Sequence, residues 1–145
     1  MALYQYSPDT VSISWNNITL NAYADGTFIE IEFSEAQWTE QVGSLGDVTR
    51  TKNLNRTAKA KVHLKAQAPV NDLLIAAALA DYATGTGFGP FAMDESISHT
   101  RAHGAYAWVE KIPKIDRAKE SGSVEWEFKI SNLELLPGGN LIFSL

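Results

Sequence analysis

Two histidines four residues apart, His99 and His103, form the pair in this sequence best suited to binding a metal ion. On a helix this spacing places both imidazoles on one face, as in the zinc motif H-E-x-x-H. The intervening residues Thr100–Ala102 lack the glutamate of that motif, and the segment resembles the end of a strand. Since no third ligand lies nearby in the sequence, we predict no metal site.

The best carboxylate pairs for acid–base chemistry are Asp94-Glu95 and Glu125 with Glu127. Catalytic carboxylate pairs need one buried member with a raised pKa. Glu125 and Glu127 instead alternate with apolar residues, which places them on the exposed face of a predicted strand. The chain has no cysteine and therefore no thiolate nucleophile or disulfide framework. We predict a protein that is not an enzyme and has no cofactor.

Charge is strongly separated along the chain. Residues 1–47 contain seven acids and no Lys or Arg, whereas residues 48–71 contain six bases and no acid. Nucleic-acid binding is disfavoured because the basic run lacks interleaved aromatic residues and the net charge is −5. Two compatible interpretations remain. Glu30 and Glu32 pair across neighbouring strands with Lys59 and Lys61, or the acidic surface of one copy meets the basic surface of another.

The elements that position these charges are strands with one buried face. The segments 28–33 (FIEIEF) and 58–66 (AKAKVHLKA) alternate apolar and polar residues with a period of two. Between them, Gly43–Thr57 is polar, too long for a tight hairpin and predicted to be an extended loop, a kind of segment that is usually functional or disordered. Residues 35–42 are expected to extend the sheet.

The remaining pattern predicts a mainly β protein. Hairpin turns are expected at Asn16-Asn17 and Asp25-Gly26, because Asn and Gly tolerate positive φ. One helix is predicted over 69–85, with Asn71 or Asp72 as its cap. Further strands are predicted over 91–99, 104–112, 123–131 and 140–145, and four tryptophans at strand positions are assigned to the core: Trp15, Trp38, Trp108 and Trp126.

These elements indicate a β-sandwich or barrel with one flanking α-helix and an extended strand–loop–strand arm. Residues 1–145 fit a single domain, because a chain of this length usually forms one core. No apolar run approaches the roughly 20 residues that cross a bilayer, so we predict no membrane span. The N-terminal residues also lack the pattern of a secretory signal.

The order of these elements resembles the tail tube proteins of tailed bacteriophages. The similarity is most specific over 46–74, where an extended arm and a basic strand (KVHLKAQAP) precede a short helix beginning VNDLL. In more detail, the chain resembles the compact tube subunits of contractile-tailed phages, which are related to the type VI secretion and pyocin tube proteins. The resemblance covers about residues 6–136.

The resemblance implies a structural subunit that closes into hexameric rings, stacked into a hollow tube through which the viral DNA leaves. A long loop of each subunit would reach a neighbouring ring, and Gly43–Thr57 would be that loop. The partners implied are further copies of the chain and the sheath, tape measure and baseplate proteins, in a virion tail assembled in the host cytoplasm. The predicted contact residues of the loop are Asp47, Arg50, Lys52, Asn53, Leu54 and Arg56.

A bore that conducts DNA must not bind phosphate tightly, which favours carboxylates on its wall. The candidates are the outward acids of the alternating strands, Glu30 and Glu32 or Glu125 and Glu127. The Lys59–Lys65 face should then lie at an interface or opposite acids. Two alternatives remain, namely another tube component of a virion or baseplate with the same fold, and a β-sandwich module that binds a ligand in a tryptophan-lined pocket.

Overall fold

The computed structural model describes residues 3–115 and 122–138. The elements are a 3₁₀ turn (Pro8–Thr10), β1 (Val11–Trp15), β2 (Ile18–Leu20), β3 (Ile29–Phe33), β4 (Trp38–Val42), β5 (Val48–Lys52), β6 (Ala58–Lys65), α1 (Val70–Thr84), β7 (Gly89–Glu95), β8 (Arg101–Lys111), β9 (Ser123–Ile130) and β10 (Glu134–Leu136). Most of these strands form one antiparallel sheet in the order β2-β1-β7-β8-β9-β6-β3, with β10 paired to β8. Strands β4 and β5 form a separate two-stranded sheet.

The architecture confirms the predicted fold class, a β-sandwich with one α-helix. The hairpin between β1 and β2 is also confirmed, because Asn16 and Asn17 have φ of 51° and 65° and form the two-residue turn. Such positive φ values match the right-handed twist of the flanking strands. Alternation along β1 buries Val11, Ile13 and Trp15, so this hairpin contributes directly to the core.

The second predicted hairpin, at Asp25-Gly26, is wrong. Gly26 has a positive φ of 84° and the chain turns there, but β2 pairs with β1 whereas β3 pairs with β6. The chain crosses between the two ends of the sheet, where the Ala24 amide donates to the His63 carbonyl (3.0 Å) and the Lys65 amide donates to the Ala22 carbonyl (2.8 Å). Together with the bridge between Tyr23 and Leu64, these bonds join the segment after β2 to β6, near the other end of the sheet.

Large aromatic side chains fill the interior. Trp15 is fully buried, its indole N–H donates to the Ala107 carbonyl (2.9 Å), and its ring lies 5.3 Å from that of Phe128. Trp126 is also buried, so two of the four tryptophan assignments are confirmed. The other two are wrong, because Trp108 is half-buried and Trp38 is 39% exposed on a strand that has no core behind it.

The single α-helix of the described residues is confirmed with small differences. Gly85 ends α1 in the left-handed conformation (φ 72°), and its amide donates to the Asp81 carbonyl (2.7 Å). The predicted side-chain cap is wrong, because the N-cap is Pro69 and Asn71 turns inward instead. The side-chain amide of Asn71 donates to the Lys65 carbonyl (3.0 Å), and the side-chain oxygen of Asn71 accepts the buried indole N–H of Trp126 (3.0 Å).

The later strands follow the predictions within a few residues. β7 and β8 each begin earlier than expected, and β9 matches within one residue. The sequence pattern missed the three-residue β10, which is too short for alternation to identify. The predicted strand over 140–145 lies outside the described residues.

Candidate functional site

Residues 43–57, predicted to be an extended loop, contain the turn and the second strand of a β-hairpin. Its first strand, β4, lies in the segment 35–42 that is expected to extend the sheet, and this expectation is wrong because β4 pairs with β5 in a separate two-stranded sheet. β4 and β5 pair antiparallel from Trp38 opposite Lys52 to Val42 opposite Val48, and we call residues 38–52 the arm. Its turn closes where the Gly43 amide donates to the Asp47 carbonyl (2.7 Å). The prediction failed because neither face of β5 is buried, so the strand shows no apolar alternation. Its β-branched residues, in VTRTK, were the available signal.

Every strand residue of the arm is exposed, and the two faces of the arm differ in character. One face is neutral and polar. The other has an apolar end beside the turn, where Val42 and Val48 are 65% and 62% exposed, and Leu45 in the turn is 93% exposed. Towards the base of that face, the Arg50 guanidinium stacks on Trp38, 3.8 Å from the ring centroid. The neutral face consists of Thr39, Gln41, Thr49 and Thr51.

Asparagine side chains hold the base of the arm. The Asn53 side-chain amide donates to Glu35 Oε2 (2.8 Å) and to the Ala36 carbonyl (2.9 Å), and its backbone amide donates to the Gln37 carbonyl (2.9 Å). The hydrogen bond from Asn53, and after it one from Asn55, lower the pKa of the Glu35 carboxyl below its ordinary value. The base is therefore a defined structure from which the exposed arm extends.

The six predicted contact residues occupy different environments. Asp47 and Lys52 lie on the exposed arm, Arg50 stacks within it, and Asn53 belongs to its base. Leu54 is 81% exposed just after the base. The guanidinium of Arg56 turns back to the core and stacks 4.2 Å from the ring centroid of Phe33. The structure thus places three of them on the arm and Asn53 at its base, and separates Arg56 from them.

A second candidate surface is the outward face of β3, β6, β9 and the end of β8. Lys61 Nζ lies 3.7 Å from a carboxylate oxygen of Glu125 and 3.9 Å from one of Glu127. Lys59 Nζ lies 3.7 Å from a carboxylate oxygen of Glu110. Lys59 and Lys61 of β6 are therefore partnered by acids of their own chain. We call this surface the charged face.

Glu30 and Glu32 lie on the same face, at its edge. The register places them directly opposite Lys61 and Lys59, which is the predicted cross-strand arrangement. The ion pairs of these lysines within 4 Å nevertheless go to the acids of β8 and β9. Among the described residues Glu30 and Glu32 make no ion pair at that distance, and both side chains are exposed.

The histidines do not form a metal centre in the described part of the chain. His103 Nε2 lies 2.9 Å from Asp94 Oδ1, and Arg101 Nε lies 3.5 Å from the same oxygen. His99 is separated from this cluster in a turn, with φ of 60°. No group of three or more metal-ligating side chains occurs among residues 3–115 and 122–138. In the same ranges no helix is long and apolar enough to span a bilayer.

The grooves of the surface are open. One of about 530 Å³ is lined by polar and apolar side chains together, including His63, Ile112 and Glu125. Neither buried tryptophan lines it, because Trp15 and Trp126 belong to the core. The aromatic pocket expected of a ligand-binding module is therefore not formed by these residues.

No protein-family model and no curated protein matches this sequence. Solved structures do share its fold. One is the tube-terminating cap of the anti-feeding prophage, at a TM-score of 0.59 and 7% identity over 95% of each chain. Another is the sheath/tube terminator of PVC, an extracellular contractile injection system, at a TM-score of 0.57 and 7% identity over 94% of this chain and 99% of that one. At this identity the likeness is one of fold.

Proposed function

We propose that this chain is a structural subunit of a phage-like tail tube that assembles with copies of itself into stacked rings. The observation that carries the proposal is the arm, whose ten strand residues are all exposed. An isolated two-stranded hairpin is only marginally stable in water. An arm with an uncovered apolar end is therefore expected to gain most of its stabilisation from another molecule.

The shared fold supports this assignment. Both solved structures described above are named as terminating components of a tube, and the likeness covers nearly the whole of each chain. Fold alone does not determine function. Here it agrees with an independent feature, the exposed arm, and with the resemblance of the sequence to tail tube proteins.

In the proposed tube, hexameric rings present the charged face to the bore, with Glu30, Glu32, Glu125 and Glu127 on the wall. Lys59 and Lys61 do not make that wall adhesive, because their charge is offset by neighbouring carboxylates. DNA would pass without a specific site. Sheath, tape measure and baseplate proteins would be the other partners, in a tail particle assembled in the host cytoplasm without cofactor or catalysis.

Negative-stain electron microscopy of the purified protein across a concentration series tests the proposal. Six-fold rings that lengthen into hollow tubes are expected. The matched variant replaces residues 38–52 with an Asn-Gly turn, which the structure permits because the Asn53 amide already donates to the Gln37 carbonyl (2.9 Å). This variant should keep its far-UV circular dichroism and its unfolding transition, yet fail to form tubes. Tubes of normal length without the arm would refute the role of the arm.

The second candidate is a tube terminator, and the names of the two solved structures favour it. A terminator should form single rings that do not lengthen as the concentration rises. It should also stop the growth of tubes when it is added to a tube protein. The concentration series therefore distinguishes the two roles by particle length, since only a tube subunit forms particles that keep growing as the concentration rises.

A further inference from the structure

The exposed face of α1 is apolar although nothing in the described chain covers it. The helix contains two acids and no base, and its inner side is already buried through Val70, Leu74 and Ala78. A helix that is apolar all round is normally buried on all sides. On the outer side Leu73, Leu79 and Tyr82 are 58%, 55% and 94% exposed, and Ile75 is 39% exposed.

The exposed side chains form a defined surface on the helix. Ile75, Leu79 and Tyr82 recur at spacings of four and three residues, so they lie in one row. Ala76, Ala80 and Ala83 lie beside that row and are also exposed, which leaves a shallow surface next to a ridge. The row is about 10 Å long, at 1.5 Å per residue. We call these six residues the helix face.

We infer that the helix face binds the arm of a second copy of this chain. The arm supplies an apolar end of matching kind, Val42, Leu45 and Val48. The same face of the arm carries Arg50 and Lys52, whereas α1 has no base and its exposed acid, Asp72, lies one turn before Ile75. Of the charges on that face, Glu40 lies opposite Arg50 in the register, and Lys52 lies opposite Trp38, which leaves Lys52 free to approach Asp72.

Other surfaces of the chain suit the arm less well. The exposed apolar residues Leu3, Tyr4 and Tyr6 belong to an N-terminal segment without strand or helix, which offers no rigid surface. The charged face would bury paired ions, and burying charge is unfavourable. The helix face combines exposed apolar area with a regular element. The contact would be heterologous, because the arm of one copy meets the helix of the next, and such contacts generate rings or filaments.

Cross-linking tests this contact directly, because the chain contains no cysteine. Two single variants, Leu45→Cys on the arm and Leu79→Cys on the helix face, are mixed and treated with a short bis-maleimide. Both side chains are exposed, so neither change touches the core. A 45–79 dimer band is expected. The matched control pairs Thr49→Cys, on the neutral face of the arm, with Leu79→Cys and should give at least fivefold less dimer.

A disruptive variant gives an independent measurement. Leu79→Glu places a charge in the proposed contact and should raise the concentration for half-assembly at least about tenfold, since buried unpaired charge is costly. Thr49→Glu makes the same charge change on the other face of the arm and should leave that concentration within about twofold. Equal effects of the two variants would show that net charge, and not the contact, controls assembly.

The inference rests on the proposed function only in taking the partner to be a second copy. Rings without a 45–79 band would overturn the inference and leave the proposed function intact. A 79–79 dimer with no 45–79 band would show helix packing on helix and overturn it as well. Cross-linked pairs that never form rings would support the contact and refute the tube. If neither particles nor cross-linked dimers are observed, both the proposed function and the inferred contact are refuted.

Discussion

At the scale of single residues, hydrogen bonds from polar side chains fix the positions of several elements of this protein. Asn71 joins α1 to β9 and to the end of β6, because its amide and its oxygen are both used in hydrogen bonds inside the protein. Asn53 does the same for the base of the arm. The sequence predicts Asn71 as a helix cap and Asn53 as a contact residue, whereas their observed roles depend on partners distant in the sequence.

Replacing Asn71 with Ala should lower the free energy of unfolding by about 1–3 kcal/mol, because the buried indole N–H of Trp126 loses its acceptor. Denaturant unfolding followed by tryptophan fluorescence measures the change. The control, Asn21→Ala, removes an exposed asparagine and should stay within about 0.5 kcal/mol. An equal loss in the two variants would mean that the Asn71 hydrogen bonds have no special weight.

The base of the arm should depend on acid pH through Glu35. Its pKa is lowered in the folded protein, first by Asn53 and then by Asn55. A carboxyl with a lowered folded pKa stabilises the structure above its unfolded pKa, and this contribution is lost as the pH falls through the folded pKa. The hydrogen bonds of the Glu35 carboxylate should therefore stabilise the base of the arm at neutral pH and be lost in strong acid.

NMR titration of the Glu35 side-chain carboxyl measures this effect. In the Asn53→Ala variant the midpoint should move up towards the ordinary value of a glutamate, because the principal hydrogen bond is gone. Thr39→Ala, on the neutral face of the arm, serves as the control and should leave the midpoint unchanged. An unchanged midpoint in the Asn53→Ala variant would contradict the assignment.

At the scale of elements, strand pairing and the helix end carry the architecture. The two-residue turn at Asn16-Asn17 and the left-handed residue at the end of α1 are both local conformations that the sequence specifies. The arm is the opposite case, since its pairing is local but its two faces lack a core. Local pairing therefore defines the shape of the arm, whereas nothing in the described chain covers its faces.

Replacing Gly85 with Ala should destabilise the protein by roughly 1–2 kcal/mol, because an L-residue in the left-handed conformation brings its Cβ close to the backbone. Thermal unfolding measures the loss. The control is Gly43→Ala in the arm, where an added Cβ meets only ordinary contacts with Asp47 at 3.6 Å and beyond. A smaller loss for Gly85→Ala than for Gly43→Ala would be incompatible with the observed helix end.

At the scale of the whole molecule, charge is arranged so that a basic column is enclosed by acids. The separation seen along the chain, acidic before residue 48 and basic after it, becomes adjacency in space across β3 and β6. Acids of β9 and β8 complete the enclosure. The intramolecular interpretation of the charge pattern is thus realised in the fold, and pairing between copies remains a prediction.

Exchanging Glu30 and Glu32 together for Lys should leave a folded subunit, with a loss of at most about 1 kcal/mol per cross-strand pair from like charges. If the charged face lines the bore, rings should still form, and particles carrying the variant should deliver DNA poorly. The control with Gln at both positions removes the acids without adding positive charge and should deliver DNA better than the Lys variant. Electron microscopy and a DNA delivery assay give the two measurements, and failure of ring formation in the Lys variant would place these acids at an interface instead.

The sequence by itself determined the features that rest on local chemistry. Alternation identified β1, β6 and β9 because each has one buried face, and a run of Leu and Ala followed by glycine identified α1. The absence of cysteine, and with it of disulfides, also follows from composition alone. The charge columns were correctly placed on strand faces, since side chains alternate with a period of two.

Only the tertiary structure decided which strands are neighbours and which polar groups are used. Pairing of β3 with β6 was one of two interpretations of their opposite charges, and the structure decided for it. The crossing between distant sheet ends that separates β3 from β2 is recorded by no local pattern. The sequence pattern did not predict β5 of the arm, because a strand with no buried face shows no apolar alternation. The exposure of the helix face likewise could not be predicted from the sequence, since the burial of a residue depends on what packs against it and not on its type.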